Sequence, residues 1–223
     1  MSRDWERWDE PGVADAIEAI WEESAAEKAH QEILAGLCAL CIPSRDLDVL
    51  EVGCGTGRVH ERLVPRLIPN ERYTGVDTSE RMRGIARSRF PEGRFLAGDG
   101  YRLDFANGAF DVSLAFAVLG HLPEIGPFLG ELARVARRAA VFTFWPAAEG
   151  VEESHEEIRG ARFLHRRYSF AYLLEQLREH LPAGAFDVEV GILTTASWAV
   201  VLRRREGTGG LALTRLFPVP AAR

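Results

Sequence analysis

The residues best suited to chemistry are a glycine-rich turn, two aspartates and one histidine. The turn at residues 53–57, Gly-Cys-Gly-Thr-Gly, directly follows an apolar run at residues 48–52. Asp77 and Asp99 each end a further strand-like run, and His121 follows a fourth. Parallel strands bring their carboxyl ends to one edge of a sheet, and glycines let the backbone approach a ligand closely. This pattern therefore predicts a nucleotide-type binding site.

The spacing of the glycines argues against a nicotinamide dinucleotide. A dinucleotide fingerprint requires glycines at the positions of residues 53, 55 and 58. Here Arg58 occupies the last position, and the third glycine is Gly57. A nicotinamide-dependent reductase is therefore a disfavoured alternative, which a titration with NADH would test.

Residues 51–57, Glu-Val-Gly-Cys-Gly-Thr-Gly, resemble the first motif of the class I S-adenosylmethionine (SAM) dependent methyltransferases. In that family an acidic residue precedes G-x-G-x-G at the end of the first strand. Three further stretches fall in the family's order, at residues 73–77, 95–100 and 110–122. A glycine motif alone is weak evidence. The combination of all four stretches, over residues 48–145, is specific to this family.

The resemblance implies SAM as the cofactor, with S-adenosylhomocysteine (SAH) as its product. Asp77 would accept hydrogen bonds from both ribose hydroxyls, and Asp99 would accept one from the adenine amino group. Backbone atoms of residues 53–57 would contact the amino-acid part of SAM, and Met82 would pack on the adenine ring. The implied cofactor-binding residues are Glu51, Gly53, Cys54, Gly55, Gly57, Asp77, Thr78, Met82, Asp99, Gly100, Tyr101, Phe116 and Ala117.

His121 is the candidate catalytic residue. Methyl transfer is a direct displacement at carbon, so an enzyme contributes mainly alignment of the reacting atoms. A hydroxyl acceptor also benefits from a general base, and histidine is the usual one. A histidine at this position in the family often only packs or forms a hydrogen bond, so both roles stay open. We expect mainly surface or packing roles for Trp145, His155, His165 and Tyr168.

Cys38 and Cys41 have the C-x-x-C spacing of redox and zinc sites. Zinc would require two further close ligands, and a redox pair would lie at a helix start, whereas these thiols fall near a predicted helix end. We therefore expect buried core cysteines and no metal site. Cys54 is expected as a small residue of the glycine-rich turn and not as a nucleophile.

The composition is that of a folded globular domain. The 223 residues are 47% hydrophobic and 27% charged, which are ordinary values for such domains. The formal net charge of -6 argues against a broad nucleic-acid surface, which usually requires a basic face. No apolar run approaches the ~18 residues of a membrane span. We expect a cytoplasmic protein without disulfides.

Alternating strand and helix patterns predict an α/β fold with a parallel sheet and right-handed crossovers. One of the helices is predicted over residues 123–138, where arginines near its end would favour the C-terminus. Residues 185–193 and 197–204 read as two strands joined by only a few residues, which favours antiparallel pairing. This ending matches the family's sheet. The resemblance therefore implies a Rossmann-like sheet of seven strands in the order 3-2-1-4-5-7-6, mostly parallel with an antiparallel last strand, and helices on both faces.

Three regions surround the predicted core at residues 45–206. Residues 1–44 carry two helical patterns and are predicted to form a helical cap over the cofactor and acceptor sites. The charged residues 145–167 are expected to form an inserted loop or surface helix that lines the pocket, and residues 207–223 a loosely ordered tail. The N-terminal tryptophans, which either face the acceptor or anchor the cap by packing, are Trp5, Trp8 and Trp21.

The predicted function is transfer of a methyl group from SAM to an oxygen or nitrogen atom of a small molecule. That acceptor is the expected partner, with no nucleic acid and no membrane, and the protein is expected to be a monomer or homodimer. One alternative is an RNA or protein methyltransferase. Against the adenine-N6 type, residues 115–121 contain no Asn/Asp-Pro-Pro-aromatic motif, and no basic, aromatic-rich appendage is evident. The other alternative is a non-catalytic SAM-binding protein, because fold does not determine function.

Overall fold

Strands and helices alternate along the central part of the chain, as the sequence pattern predicts. The computed structural model describes residues 4–158, 160–205 and 212–218. The strands are β1 Val49–Val52, β2 Tyr73–Asp77, β3 Phe95–Ala97, β4 Phe110–Ala115, β5 Ala136–Phe144, β6 Val151–Ile158, β7 Ala161–Tyr168, β8 Phe186–Ile192, β9 Trp198–Arg204 and β10 Ala212–Pro218. The helices are α1 Val13–Glu23, α2 Ala25–Cys41, α3 Arg58–Leu63, α4 Glu80–Arg89, α5 Gly126–Val135 and α6 Phe170–His180, with short 3-10 helices at Asp4–Asp9, Asn70–Arg72 and Leu119–His121. None of these described helices is both long and apolar enough to cross a bilayer.

Within the described residues, the main sheet has eight strands in the order β3-β2-β1-β4-β5-β9-β8-β10. All neighbouring strands are parallel except the pairs that β9 makes with β5 and β8. β8 and β9 are thus the sixth and seventh strands of the predicted order, which is confirmed. Their short connection requires antiparallel pairing, because a parallel return needs a crossover of a dozen or more residues.

The central strands are apolar because helices cover both faces of the sheet. Every residue of β1 and β4 is buried. One face of the sheet packs against α5 and α6, which contribute Phe128 and Leu173 to the core. The other face packs against α2 and α3, which contribute Leu37 and Leu63. The carboxyl ends of the parallel strands remain as the edge where ligands bind in folds of this kind.

The charged insertion is a β-hairpin, and the expectation of a loop or surface helix is wrong. β6 and β7 pair antiparallel and form a separate two-stranded sheet. Glutamates of β6 face basic residues of β7, as where Oε1 of Glu153 lies 2.8 Å from Nε of Arg166. Opposite charges on facing strands stabilise a β-hairpin. Its strands are charged and contain no apolar run, so the sequence pattern did not reveal them. Ile158 and Phe163 pack against Val13 of α1.

The C-terminal region contains a strand where a loosely ordered tail is expected. β10 extends the edge of the main sheet by pairing parallel with β8, so that expectation is wrong for residues 212–218. The remainder of the expected tail, at residues 207–211 and 219–223, lies outside the described residues, as do residues 1–3 of the expected cap. The division of the chain into cap, core and tail stays a prediction.

The chain leaves α5 earlier than predicted. The helix ends at Val135, and Arg137 and Arg138 lie in β5 instead of the last helical turn. Both guanidinium groups bind Oδ1 of Asp111 on β4, at 2.8 and 2.9 Å. The Asp111 side chain is only 3% exposed. Their charges therefore compensate a buried carboxylate, which would be costly without partners.

Candidate active site

A cavity of about 350 Å³ lies at the carboxyl ends of the parallel strands. One wall consists of the loops that follow β1, β2, β3 and β4. The opposite wall consists of the N-terminal segment, with Trp8, Ile17 and Trp21, and of the hairpin, with Glu156 and Ile158. The volume falls within the range of ~300–1,000 Å³ that is usual for small-molecule sites.

The cavity brings together most of the residues that the sequence predicts to bind the cofactor. Those in its wall are Gly53, Gly55, Asp77, Thr78, Met82, Asp99, Gly100, Tyr101, Phe116 and Ala117, together with the candidate catalytic residue His121. Glu51, Cys54 and Gly57 are not among the residues that line it. Contact with a cofactor stays a prediction for each of these residues.

The loop after β1 requires glycine at Gly53 for two reasons. The amides of Gly53 and Cys54 both donate to the carbonyl of Val76, at 2.8 and 3.0 Å, which holds the chain in a tight bend. Gly53 has a φ of 77°, a left-handed conformation that other residues rarely adopt. A Cβ at this position would also lie 2.4 Å from Cγ2 of Val118. At Gly55, by contrast, an added Cβ would meet no atom within 4 Å, so this part of the loop faces open space in the cavity.

Asp77 holds the glycine loop and also lines the cavity. Its Oδ2 accepts a hydrogen bond from the Gly55 amide at 2.9 Å, and its Oδ1 accepts one from the Ser79 amide at 2.9 Å. Burial raises the pKa of Asp77, and these two hydrogen bonds oppose that rise. A carboxylate has about four acceptor positions. Two therefore remain for donors in the cavity, such as a pair of hydroxyl groups.

Asp99 follows β3 at the same edge of the sheet and is exposed. Its Oδ1 accepts a hydrogen bond from the Tyr101 amide at 2.9 Å, which fixes the turn. The Tyr101 hydroxyl donates to the carbonyl of Glu124 at 2.8 Å, and burial raises its pKa to about 12. The Asp99 carboxylate keeps acceptor capacity for a further donor, while Tyr101 is held as part of the wall.

The three predicted residues that do not line the cavity support the loop from behind. Glu51 is 2% exposed and accepts a hydrogen bond from the Tyr73 hydroxyl. Burial raises the pKa of Glu51 to about 8, although the bond from Tyr73 favours the charged form. Gly57 precedes α3, where an added Cβ would lie 3.1 Å from the Phe90 ring. Cys54 is buried, and burial raises its thiol pKa well above the ordinary value, which leaves it an unreactive thiol.

His121 lies between two tryptophans at the end of the loop after β4. Its ring centroid is 5.0 Å from that of Trp8 and 5.3 Å from that of Trp145, with interplanar angles of 86° and 87°. Burial and the neighbouring His165 lower its pKa to about 3, against the effect of a hydrogen bond to the Leu164 backbone. Burial therefore keeps His121 neutral and makes it a weak base toward a hydroxyl acceptor. The general-base role of His121 stays a prediction, and this pKa weighs against it.

The far wall of the cavity contains residues that the motifs did not identify. They come from α1, α2 and the hairpin, and they are Ile17, Ile20, Glu27, His30, Glu156 and Ile158. Helical spacing in residues 13–23 reveals an apolar stripe but not which surface the stripe covers. Of the N-terminal tryptophans, Trp8 and Trp21 line the cavity, and the side chain of Trp5 lies outside the described part of the structure.

Two carboxylates attach the N-terminal segment to the loops of the core. Oδ1 of Asp9 accepts hydrogen bonds from the Ser79 hydroxyl at 2.6 Å and the Arg81 amide at 3.0 Å, at the start of α4. Oε1 of Glu18 accepts a hydrogen bond from Nε of Arg58 at 3.3 Å, beside the glycine loop. Because both acceptors belong to the segment that carries the tryptophans, these bonds hold the aromatic wall over the cavity.

Ala117 carries backbone strain at the cavity wall, since its φ is 56°. Its amide donates to Oγ1 of Thr143 at 2.9 Å, which keeps the residue in this left-handed conformation. We expect Ala117→Gly to raise the free energy of unfolding by ~0.5–1 kcal/mol, because glycine adopts positive φ without a steric cost. Urea denaturation would measure it. The matched control Ala115→Gly, in the buried strand β4, should lower the stability. A loss of stability in Ala117→Gly similar to that of the control would contradict the assignment of strain.

Comparisons with known proteins agree with this geometry. Residues 50–144 match the family model described as a methyltransferase domain. A demethylmenaquinone methyltransferase of Thermotoga maritima is 41% identical over 91 residues, which are 40% of this chain and 39% of that protein. A ubiquinone/menaquinone biosynthesis C-methyltransferase of Methylobacterium nodulans is 27% identical over 78% of this chain and 75% of its own length. The chain spans less than half the length of the first curated relatives that it matches.

The fold has close structural neighbours as well. The crystal structure of magnesium protoporphyrin IX methyltransferase from Synechocystis PCC 6803 with bound SAM superimposes with a TM-score of 0.70. The match covers 92% of this chain and 99% of that chain, at 19% sequence identity. An identity this low shows a shared fold and does not extend to the substrate.

Proposed function

We propose that this chain is a methyltransferase, as the match of residues 50–144 to the methyltransferase domain model suggests, and that it transfers a methyl group from SAM to an oxygen or nitrogen atom of a small molecule. The observation that carries the proposal is the single cavity that joins the glycine loop to Asp77 and Asp99. Three groups at three strand ends are thus available for the three parts of SAM: its amino-acid tail, its ribose and its adenine.

The residues in the wall fit these parts. Backbone amides use two acceptor positions of Asp77, which leaves two for the ribose hydroxyls. Asp99 accepts one bond from its own turn and has capacity for the adenine amino group. The open space beside Gly55 accommodates the amino-acid tail against backbone atoms. A dinucleotide site would instead require glycine at Arg58.

The chemistry needs alignment more than acid or base groups. SAM supplies, when bound, an electrophilic methyl group on a positively charged sulfur, and direct displacement leaves neutral SAH. The chain contributes a cavity that positions the acceptor and excludes water, with Trp8, Trp21 and Trp145 on the acceptor side. His121, with a pKa of about 3, is suited to contact the acceptor as a neutral ring.

Carbon is the competing acceptor atom, and the relatives favour it as a second candidate. The Methylobacterium nodulans relative is named a C-methyltransferase. A carbon acceptor must be an electron-rich ring that becomes nucleophilic on losing a proton, so it needs a base that the pKa of His121 does not provide. A hydroxyl acceptor would lack a base for the same reason, so this difference favours nitrogen, whose neutral form already offers a lone pair, over carbon.

Calorimetric titration with SAM, SAH and NADH tests the cofactor assignment. We expect SAM and SAH to bind with dissociation constants in the range of ~1 μM to 1 mM that is usual for substrates, and NADH not to bind. Release of SAH with a panel of phenols, amines and quinols then tests turnover. Binding of NADH without SAM would overturn the proposal, and SAM binding without turnover on any acceptor class would favour a non-catalytic SAM-binding protein.

A further inference from the structure

Four aromatic rings form a cluster on the acceptor side of the cavity. Trp145 and His165 stack in parallel, with centroids 5.0 Å apart and an interplanar angle of 2°. His121 stands at 89° to His165, at 4.7 Å, and Trp8 lies on its other side. All four rings line the cavity. Because these rings contact one another, a flat acceptor ring would lie against the side of the cluster that faces the cavity. Tryptophan is the best side chain for cation–π contact.

The formally charged side chains in the cavity wall are acidic. Among the described residues that line it, no lysine or arginine occurs, while Glu27, Asp77, Asp99 and Glu156 do. The two aspartates lie at the strand ends assigned to the cofactor. Glu27 on α2 and Glu156 on β6 lie in the opposite wall, where the acceptor would bind. The neighbouring His30, whose Nδ1 lies 3.9 Å from Oε2 of Glu27, lowers the pKa of Glu27, so this carboxylate is charged at neutral pH.

The imidazoles of His121 and His165 do not supply positive charge on the acceptor side. Burial is the main cause that lowers the pKa of both His121, to about 3, and His165. Oε2 of Glu156 lies 3.2 Å from Nε2 of His165, yet that nitrogen has no aligned hydrogen-bond partner among the described residues. The Glu156 carboxylate is half-exposed at the mouth of the cavity and remains able to bind a donor from an acceptor molecule.

The arginines nearest the acceptor side are engaged by other groups. Arg58, whose guanidinium lies 6.0 Å from the Trp21 ring, is paired with Glu18. Arg166 pairs with Glu153 and donates to the carbonyl of Leu122. An anionic acceptor would therefore lose its water in this cavity without gaining a cationic partner, which is strongly unfavourable.

We propose that the methyl acceptor is an arylalkylamine, with its ring against the cluster of Trp8, His121, Trp145 and His165 and its nitrogen toward Glu156. This inference rests on the proposed function and narrows it, since it names nitrogen as the atom methylated. A carboxylate acceptor is excluded by the same charges that favour the amine.

The reaction moves a positive charge to a place where the cavity stabilises it. An arylalkylamine is an ammonium ion in water at neutral pH, so its nitrogen first releases one proton to water at the mouth of the cavity. The lone pair of the resulting neutral nitrogen forms the new bond to the methyl carbon, the carbon–sulfur bond breaks, and its electron pair stays on sulfur. Positive charge thus passes from sulfur to nitrogen. The tryptophan faces and the Glu156 carboxylate favour that cation. The methylated nitrogen keeps its remaining protons and this charge, beside half-exposed Glu156 at the mouth of the cavity.

Matched acceptor sets test the charge preference. Each set shares one ring and differs only in its end group: tryptamine, tryptophol and indole-3-propionate; phenethylamine, phenylethanol and 3-phenylpropionate; and the corresponding naphthyl compounds. Binding to the protein–SAH complex is measured by calorimetry, and turnover by SAH release from SAM. We expect the amine of at least one set to bind at least about tenfold more tightly than its acid and to be methylated on nitrogen.

Replacing Glu156 by lysine reverses its charge and tests its role in binding the amine. Glu156→Lys should weaken amine binding by at least about tenfold and tighten binding of the acid. The control Glu157→Lys makes the same change of net charge at the next residue of β6, which does not line the cavity, and should change neither affinity by more than about twofold. Trp8→Leu, which keeps an apolar side chain but removes the π face, should weaken the amine more than the alcohol.

The outcomes separate this inference from the function on which it rests. If SAM and SAH fail to bind the wild-type protein, the proposed function fails. If SAH binds but the acids bind as tightly as the amines, or no amine of any ring binds, the amine assignment is wrong while the methyltransferase assignment stands. An equal effect of Glu156→Lys and Glu157→Lys would also overturn it. Unchanged SAH affinity in each variant shows that its fold is intact.

Discussion

Replacing Asp77 by alanine is expected to weaken SAM binding by well over tenfold, more than ~1.4 kcal/mol of binding free energy. The variant loses the acceptor positions that face the cavity, and it also leaves the amides of Gly55 and Ser79 without their partner. Removing a charged acceptor from a hydrogen bond usually costs ~1.5–3 kcal/mol. Calorimetric titration with SAM and SAH measures the loss.

A second ligand separates direct contact with ribose from damage to the loop. In the wild type, SAH should bind more tightly than its 2′-deoxy analogue, because only SAH presents both hydroxyls to Asp77. In Asp77→Ala this difference should vanish, as expected when ligand group and side chain are partners in one interaction. Ser79→Ala removes the side-chain cap of α4 and the hydroxyl's bond to Asp9. The Ser79 amide still binds Asp77 and the Arg81 amide still binds Asp9, so its SAM affinity should stay within about threefold of wild type. If Asp77→Ala bound SAM within that same limit, the ribose assignment would be wrong.

Glu51→Gln is expected to stabilise the protein at alkaline pH. Burial raises the pKa of Glu51 from 4.5 to about 8 in the folded state, so between these values the folded protein holds a proton that the unfolded chain has released. The contribution of protonated Glu51 to stability therefore falls as pH rises through this window and is lost above about pH 8. At ~1.4 kcal/mol for each pH unit, the loss reaches ~5 kcal/mol at most. Glutamine is neutral throughout and can still accept the bond from the Tyr73 hydroxyl.

Urea denaturation of both proteins at several pH values measures this effect. At about pH 5 the two should differ little, and at about pH 8.5 the variant should be more stable by a few kcal/mol. Because all other groups titrate in both proteins, the difference between them isolates Glu51. Tyr73→Phe removes the donor that favours the charged carboxylate, so it should raise the pKa of Glu51 further and extend the fall to higher pH. Parallel stability curves for wild type and Glu51→Gln would show that Glu51 is charged in the folded protein.

The sequence predicts the architecture of the core well because its signals are local. Short apolar runs at β1 and β4 identify buried strands, and the glycines after β1 satisfy a backbone bend that few other residues tolerate. Strand order is what the family resemblance implies, and the short β8–β9 connection, which leaves only antiparallel pairing, agrees with it. The carboxylates of Asp77 and Asp99 then fall at one edge of the sheet, because every parallel strand ends there.

Contacts between distant segments are what the sequence does not reveal. The hairpin of β6 and β7 depends on charges that match only when the strands are paired, and β10 depends on the free edge of β8. The sequence alone predicts that Arg137 and Arg138 end a helix. In the structure both residues lie in β5, where their guanidinium groups pair with the buried carboxylate of Asp111.

The sequence by itself determined the fold family and the residues on the strand-end side of the cavity. These follow from the spacing of residues within single strands and turns, which is visible in the sequence. Tertiary structure alone decided the other side. Trp8, His121, Trp145 and Glu156 come from four separate segments, and no periodicity links them in the sequence. Only folding brings their rings and charge around one volume, and it is this arrangement that sets which acceptor the cavity can hold.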